Sequence, residues 1–445
     1  MSKNKHTDKT KTANAPVNQD NSSLHKVLWY FVLGFLIILV LNQFKNNSSS
    51  ATKDSLVKAT MHTLADRSYQ EFYENKLLKK PFAINLKKYK NKYEYMLFEK
   101  INLEEAYAGK ENYVFGESMT RAYFGDDYVG EEIIKEQVRK AKFVQTKLKE
   151  LGVELLVLFA PGKNTIYSEF LPEYVLKTKK KPRNYETYLA ECKNQNINII
   201  DFVQLFTLLK PTTKYPLFPK YGSHWSYYAE CKVVDTTIKK LEQLMNLNLP
   251  NIVYTDVTLK DTVLVRDGDI LKKAQLDIPK GDSLAYPQSI GFEQGTSVQP
   301  QKIIGIGDSY FRGFYYLGAL QHAFDNSQLW YYYNSIIPEN TSNPEVWELD
   351  LKAEIMKTKA IVLLSNEMNL KNLGNGFIDD AYDLFSNPEK YYLKKKEKNK
   401  LNTIKKEIRT NKETLTQLTK KAQERGITID SLITETAMSK IKASR

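Results

Sequence analysis

The chain has 445 residues, of which 42% are hydrophobic and 12% aromatic, so it can bury a sizeable core and exceeds one small domain. Its formal charge of +13 lies almost entirely in residues 1–26 and 394–445, and the near-neutral body between them argues against a nucleic-acid-binding protein. Two cysteines, Cys192 and Cys231, are too few for a disulfide framework, and the sequence leaves a single bridge between them open.

The first predicted element is a membrane anchor at residues 27–44. This segment, VLWYFVLGFLIILVLNQF, carries no charge, and as a helix it would span about 27 Å, near the hydrocarbon thickness of a bilayer. Lysines precede it and a polar stretch follows, which predicts a single pass through the cell (inner) membrane, with the N-terminus cytoplasmic and the body periplasmic or otherwise extracytoplasmic. A cleaved signal peptide, with Ser49 and Ala51 near the cleavage site, is the alternative.

Three regions follow the anchor. Residues 45–84 are predicted to form a partly helical stalk, and residues 85–393 the main domain. Within that domain, residues 250–300 are rich in Gly, Pro and Asp, and we interpret them as an insertion with short strands. Residues 394–445 repeat apolar side chains at helical spacing among many lysines and arginines, which predicts a helical tail. The tail is expected to pack on the body; contact with anionic lipid or a partner is the alternative.

The main domain alternates apolar strands with amphipathic helices. The strands are predicted at residues 153–161, 197–201, 302–307 and 359–365. Fully apolar strands between helices are typical of strands buried on both faces, so the pattern predicts an α/β fold with a parallel sheet flanked by helices.

Ser309 is the strongest candidate for a catalytic residue. It follows an apolar strand in the sequence Gly-Asp-Ser-Tyr and precedes a predicted helix, so its hydroxyl would lie at the carboxyl end of the sheet. Backbone N–H groups at the start of that helix are suited to hold an oxyanion. The alternative is that Ser309 only caps the helix.

A serine nucleophile needs a nearby base, and His224 is the candidate. It lies in the sequence Tyr-Gly-Ser-His-Trp-Ser, a loop that opens a predicted helix, where a capping or core role is the alternative. His322 lies within another predicted helix, and we expect a structural role for it. The other three histidines precede the main domain: His6, His25 and His62.

A complete triad also needs an acid that orients the imidazole. The residue two positions before the histidine is Gly222, which has no side chain. The candidates for an acid or orienting group are Asp201, Asp308 and Tyr221, although Asp308 adjoins the nucleophile and is expected to organise its turn. No group of cysteines and histidines has the spacing of a zinc site, and we predict neither a metal nor a cofactor.

These motifs resemble the alginate O-acetyltransferase (AlgX/AlgJ-like) family of periplasmic SGNH-hydrolase-like proteins, in which the His-Trp motif precedes the Gly-x-Ser motif in a circularly permuted arrangement. The resemblance extends over roughly residues 85–385. It rests on Glu367, after the last predicted strand, and on four blocks in the family's order: AGKENYVF (108–115), FAPGKNTIYSEFLP (159–172), YGSHWS (221–226) and GDS (307–309).

The resemblance implies an SGNH-hydrolase-like fold and the transfer of acetyl groups onto hydroxyls of a cell-envelope polysaccharide, with Ser309 as nucleophile and His224 as base. It also implies a membrane-bound O-acyltransferase as partner. The family usually carries Asp at the position of Gly222, and this departure puts a full triad in question. Two other functions therefore stay open: a carbohydrate acetyl esterase with the same site, and a non-catalytic scaffold for polysaccharide assembly.

Further residues are predicted around the nucleophile. The candidates for oxyanion or substrate contacts are Asn334, Asn164, Lys163, Trp225 and Glu367. The aromatic run at residues 330–333 either stacks on sugar rings or forms a half-buried strand.

Overall fold

The computed structural model describes residues 80–261, 263–279, 283–293, 298–338 and 343–443, together with Tyr30 and scattered residues between 65 and 76. The chain divides into two compact units, Met1–Ile84 and Asn85–Arg445. The anchor predicted at residues 27–44 and most of the predicted stalk lie outside the described residues. In the part of the chain that is described, no helix has both the length and the apolar character needed to cross a bilayer.

The described chain alternates strands and helices. The strands are β1 (Ala106–Ala108), β2 (Val114–Gly116), β3 (Glu154–Ala160), β4 (Ile199–Asp201), β5 (Ile252–Lys260), β6 (Leu284–Phe292), β7 (Ile303–Gly307), β8 (Gln328–Tyr331), β9 (Ser335–Ile337) and β10 (Ala360–Asn366). The helices are α1 (Pro81–Phe98), α2 (Glu117–Phe124), α3 (Glu131–Glu150), α4 (Lys163–Ile166), α5 (Glu173–Leu176), α6 (Asn184–Asn194), α7 (Phe202–Leu209), α8 (Tyr227–Met245), α9 (Asp269–Lys273), α10 (Arg312–Tyr316), α11 (Ala319–His322), α12 (Leu351–Met356), α13 (Phe377–Ser386), α14 (Pro388–Thr410), α15 (Lys412–Glu424) and α16 (Ile429–Ala443).

Six strands form the central sheet in the order β4–β3–β10–β7–β8–β9. The first five run parallel, as the apolar strand pattern predicts. The edge strand β9 pairs antiparallel with β8, so the sheet is mixed and the prediction of a purely parallel sheet is wrong at this edge. The physical reason is the connection: only a short turn joins β8 to β9, whereas a parallel pair needs a crossover of a dozen or more residues.

Both faces of the central sheet are covered by helices. Along β3, Leu156 and Leu158 point into the hydrophobic cluster under α8 and α10, while Val157 and Phe159 point into the cluster under α3, α6 and α13. This alternation explains why the strand is apolar at every position. The two cysteines lie in these clusters on opposite faces, and both are free, buried thiols, so the bridge that the sequence left open does not form.

The segment at residues 250–300 folds into the antiparallel pair β5–β6 and the short helix α9. The tail consists of α14, α15 and α16, whose residues Ile408, Ile433 and Ala437 form a small core of their own. The break between α14 and α15 falls at Asn411, whose side chain accepts a hydrogen bond from Thr414 N and caps α15.

The neighbouring strands β3, β10 and β7 all end at the same edge of the sheet. The loops that follow them therefore meet at that edge, which is where ligands bind in α/β proteins. These loops begin at Pro161, Glu367 and Asp308.

Candidate active site

Asp308 caps the 3-10 turn that begins at Ser309. Its Oδ1 accepts a hydrogen bond from Tyr310 N at 3.0 Å. Its Oδ2 accepts from Asn366 N at 2.8 Å and from Asn369 Nδ2 at 2.7 Å, which fastens this turn to the loop after β10. Because Asp308 supplies the cap, the hydroxyl of Ser309 is not used to cap the turn, and the expectation that Asp308 organises the turn is confirmed.

The ring of His224 lies against this hydroxyl. The distance from His224 Nε2 to Ser309 Oγ is 2.7 Å. Two neighbours in the sequence motif anchor the loop: Trp225 is fully buried and donates from Nε1 to Glu230 at 3.2 Å, and Ser226 caps α8. The motif thus combines a polar ring at the surface with a buried aromatic anchor directly behind it.

The other ring nitrogen of His224 lies against a carboxylate that the sequence analysis did not identify. The distance from His224 Nδ1 to Asp269 Oδ2 is 3.2 Å. Ser223 donates to the same carboxylate twice, from Oγ to Oδ2 and from N to Oδ1, each at 2.7 Å. Burial raises the pKa of Asp269, but the hydrogen bonds from His224 and Ser223 outweigh it and lower the pKa to about 2. The hydroxyl of Ser223 lies 3.1 Å from Nδ1 and gives its own proton to the carboxylate. Since both neighbours of Nδ1 can only accept from it, Nδ1 carries the imidazole proton, and Nε2 is left to accept from Ser309.

Asp269 comes from the segment that the sequence analysis treats as an insertion, where it is the first residue of α9. This segment passes directly over Gly222. A Cβ atom at Gly222 would lie 2.6 Å from Asp267 O, closer than real Cβ contacts. An aspartate side chain at that position, as in the family pattern, would therefore collide with the segment that brings Asp269 to His224.

The three acid or orienting groups proposed from the sequence have other partners. Asp201 accepts from Tyr185 OH at 2.9 Å and caps α7. Asp308 is bound to the backbone and the amide described above. Tyr221 is buried in a small cluster with Ile270 and Leu271, on the helix that Asp269 begins.

Two buried contacts hold the Asp269 segment. Arg266 forms an ion pair with Glu230, the same carboxylate that accepts from the tryptophan of the motif. Asp267 accepts a hydrogen bond from Tyr286 OH of β6 at 2.7 Å, and burial raises its pKa to about 6. The position of Asp269 thus depends on packing between α8, β6 and α9, and no short sequence pattern encodes that packing.

Lys163, a candidate for a substrate contact, is fully buried beneath the histidine loop. Its ammonium group donates to three carbonyl oxygens, those of Pro219 at 3.2 Å, Lys220 at 3.0 Å and Gly222 at 2.6 Å. Burial lowers the pKa of Lys163 to about 7, while three acceptor oxygens favour the protonated donor. Lys163 therefore holds the backbone that leads to His224.

Two further candidates brace the loop after β3. Asn164 donates from Nδ2 to Thr120 Oγ1 at 2.8 Å. Glu367 is buried, accepts from Gly162 N at 2.6 Å and pairs with Arg183 at 3.3 Å. Burial raises the pKa of Glu367, and Arg183 and the backbone N–H oppose that effect. Both side chains are thus engaged in fixing the loop.

The turn between β8 and β9 lies next to the end of β7, where Tyr332 N donates to Gly307 O at 2.8 Å. The hydroxyl of Tyr332 lies close to the side chains of Ser309 and Asn369, and partial burial raises its pKa to about 12, so it is protonated at neutral pH. Tyr332 and Tyr333 have φ angles of 50° and 53°, in the left-handed region that bulky residues avoid. Asn334 is exposed on the same turn. The sequence suggested sugar stacking or a half-buried strand for residues 330–333 and did not distinguish Tyr332.

A cavity of about 250 Å³ is lined by Asn369, which donates to Asp308, the residue before Ser309. Ser118 and Arg121 of α2 and Lys371 also line it, and all three are exposed.

A serine, a histidine and an aspartate that approach one another in this order, at the carboxyl edge of an α/β sheet, form an arrangement typical of hydrolase and acyl-transfer sites. The family model described as "SGNH hydrolase-like domain, acetyltransferase AlgX" matches residues 119–329, which include all three side chains. The resemblance to AlgX/AlgJ-like proteins is therefore confirmed.

Three solved structures are similar to part of this chain. The O-acetyltransferase domain of Pseudomonas putida AlgJ is 15% identical, with a TM-score of 0.41, and the match covers 62% of this chain and 98% of that domain. Pseudomonas aeruginosa AlgX is 14% identical, with a TM-score of 0.43 and coverage of 64% and 70%. Bacillus cereus PatB1 with a sulfonyl adduct is 11% identical, with a TM-score of 0.40 and coverage of 60% and 97%. No curated protein matches the chain in sequence.

Proposed function

We propose that this protein is an O-acetyltransferase that transfers acetyl groups to hydroxyls of a cell-envelope polysaccharide through an acyl-enzyme on Ser309. The observation that carries the proposal is the position of His224 between the other two side chains: its Nε2 lies 2.7 Å from Ser309 Oγ, and its Nδ1 lies 3.2 Å from Asp269 Oδ2. The match to the AlgX acetyltransferase domain supports the choice of acetyl transfer among the reactions that such a site performs.

In the first half of the reaction, Ser309 Oγ attacks the carbonyl carbon of an acetyl donor, and His224 Nε2 takes its proton. The ionised carboxylate of Asp269 stabilises the imidazolium that forms. The negative charge on the carbonyl oxygen needs donors, and the N–H of Ser309 is suited to this role because it opens a turn and has no partner within it. The protonated hydroxyl of Tyr332 is a second donor. The tetrahedral intermediate then collapses, and the leaving group departs with the proton from His224.

In the second half, the hydroxyl of a sugar residue gives its proton to His224 Nε2 and attacks the acetyl-Ser309 ester. The ester bond to Ser309 breaks, the serine oxygen regains the proton from the imidazolium, and the acetylated sugar leaves. The cavity beside Asn369 offers the acceptor a route to Ser309. Every proton in this cycle moves between Ser309, His224, the leaving group and the sugar hydroxyl. The cycle as written therefore uses neither a metal nor an organic cofactor.

Hydrolysis of the same acyl-enzyme is the second candidate function. The side chain of His224 is 24% exposed and Tyr332 is 38% exposed, so water can also reach the acyl-enzyme. Transfer dominates only where a bound acceptor excludes water. The non-catalytic scaffold was motivated by the absence of an acid at Gly222 and by the basic helical tail, and the carboxylate of Asp269 beside His224 argues against the first of these grounds.

The location and partner are parts of the same proposal. An anchor at residues 27–44 would hold the domain on the outer face of the cell (inner) membrane, beside the polysaccharide. Since acetyl donors are made in the cytoplasm, a membrane-bound O-acyltransferase partner would supply the acetyl group. Accessibility of the domain to a protease added to intact spheroplasts tests this orientation; complete protection until the membrane is lysed would contradict it.

The proposed function is tested with a chromogenic acetyl ester, with and without polysaccharide from the native envelope. We expect release of the chromophore, acceleration by the acceptor and acetyl groups on the acceptor, all lost in Ser309→Ala. A matched control is Ser439→Ala, which changes an exposed serine of α16 that does not line this cavity. Release without acetylation of the acceptor would identify an esterase, and equal activity of Ser309→Ala would exclude both enzymes.

A further inference from the structure

A second cavity, of about 320 Å³, lies between the helical tail and the turn after β8. Its aromatic walls are Trp330 and Tyr333 from the turn region, Trp347 from the loop before α12, and Tyr391 from α14. It is separate from the acyl-transfer site, and its lining includes residues beyond the region matched by the family model.

Most charged side chains around this cavity are ion-paired. Lys398 forms an ion pair with Asp380 at 3.1 Å, and Lys394 pairs with Asp383. Asp379 pairs with Lys140 of α3 at 2.7 Å. Lys395 instead donates to the backbone carbonyl of Leu349. Because most of the charges are compensated in pairs, the cavity has little net attraction for an ion, and a neutral ligand suits it better.

Uncharged hydrogen-bonding groups also line the cavity. Asn334 and Asn402 present amide side chains there that have no hydrogen-bond partner among the described residues. The indole Nε1 of Trp330, a side chain that is 99% buried, likewise has no partner among them. Buried polar groups are normally satisfied, so an unpaired indole N–H beside two open amides marks a place for a polar ligand.

We infer that this cavity binds a neutral saccharide unit. A sugar ring offers C–H faces that pack on aromatic rings and hydroxyl edges that exchange hydrogen bonds with amides, which is the combination found here. The volume suits one or two sugar rings, near the lower end of the range for small-molecule sites.

The position of the cavity connects it to the nucleophile. Tyr332 and Tyr333 are consecutive residues of one turn: the backbone N–H of Tyr332 donates to Gly307 O at 2.8 Å, two residues before Ser309, and Tyr333 lines the cavity. A polysaccharide chain with one unit in the cavity would therefore have neighbouring units near Ser309. The identity of the bound polysaccharide rests on the proposed function, whereas the binding of a saccharide in this cavity does not depend on that function.

The experiment measures binding of chitotetraose, cellotetraose and maltotetraose to the full chain in detergent, by tryptophan fluorescence and calorimetry. We expect at least one of them to bind, and both Trp347→Ala and Asn402→Ala to weaken it by about tenfold, as expected for loss of one ring or amide contact. Tyr392→Ala is the matched control, because Tyr392 is an exposed aromatic residue of α14 that does not line the cavity. Melting temperatures of all variants establish that the tail remains folded.

Ser309→Ala separates this inference from the proposed function, because it should bind the tetrasaccharide as tightly as the natural chain while losing ester hydrolysis. Hydrolysis without binding of any of the three tetrasaccharides would overturn the saccharide site and leave the proposed function intact. Binding that is unchanged in folded Trp347→Ala and Asn402→Ala would likewise overturn it.

Discussion

The carboxylate of Asp269 lies 3.2 Å from Nδ1 of His224, although the two residues come from separate segments of the chain. In the family pattern, the acid precedes the histidine by two positions, and here that position is Gly222. The segment that carries Asp269 occupies the space over Gly222. The same packing therefore brings the carboxylate of Asp269 to His224 and leaves no room for a side chain at position 222.

Asp269→Asn is the first test of this arrangement. We expect the rate of ester hydrolysis to fall by about three to four orders of magnitude, because an amide neither fixes the Nδ1–H tautomer nor stabilises the imidazolium. Since the pKa of Asp269 is about 2, its carboxylate loses its charge only as the pH falls through that value, and the loss should be the same at every assay pH above about 4. Asp277→Asn, an exposed acid of the same segment, is the control and should retain full activity. A loss of less than tenfold would show that Asp269 does not orient His224.

Gly222→Asp restores the residue type of the family and should nevertheless reduce stability and activity. The added Cβ would lie 2.6 Å from Asp267 O, and such overpacking costs about 1–3 kcal/mol. The measurement is thermal unfolding together with ester hydrolysis, in the natural background and in Asp269→Asn. If Gly222→Asp rescued the Asp269→Asn variant, the space over Gly222 would be able to hold an acid, and the packing argument would be wrong.

Lys163→Met tests whether the buried lysine positions the histidine loop. Three carbonyl oxygens would lose their donor, which costs about 3 kcal/mol of folding stability. We expect kcat for ester hydrolysis to fall with little change in KM, since the histidine loop would shift while the substrate surface would remain. Lys177→Met, at an exposed lysine, is the control. Unchanged kcat in a folded Lys163→Met variant would restrict Lys163 to a role in stability.

Tyr332→Phe removes one hydroxyl from the site and leaves the ring. If that hydroxyl stabilises the oxyanion, kcat should fall by about a hundredfold with KM nearly unchanged. The side chain is 38% exposed, so the melting temperature should hardly change. Tyr174→Phe, an exposed tyrosine, serves as the control. A rise in KM with unchanged kcat would instead assign Tyr332 to binding of the acceptor.

The apolar strand pattern predicted the parallel core of the sheet because strands buried on both faces leave a continuous signal, as in β3 and β10. The direction of β9 was not predictable, since a strand of three residues carries no directional signal. Ser309 and His224 lie in local motifs and could be identified from the sequence. Asp269 could not, because its approach depends on tertiary contacts such as the pair between Arg266 and Glu230.

Lys163 shows a second limit of the sequence. A lysine in a motif near an active site suggests an ammonium group that contacts the substrate. Only the folded chain shows that this ammonium group is buried under the histidine loop. The sole local signal for Asp269 was the run Arg-Asp-Gly-Asp at residues 266–269, which resembles any polar turn.

The acyl-enzyme itself tests the account most directly. The full chain is mixed with an activated acetyl ester in the absence of an acceptor, quenched in acid, and measured by intact-protein and peptide mass spectrometry. The account predicts one added acetyl group, located on Ser309, absent from Ser309→Ala and His224→Ala, and discharged when the acceptor polysaccharide is added. Acetyl transfer to the polysaccharide by Ser309→Ala, or an acetyl group located on another residue and discharged by the acceptor, would contradict it.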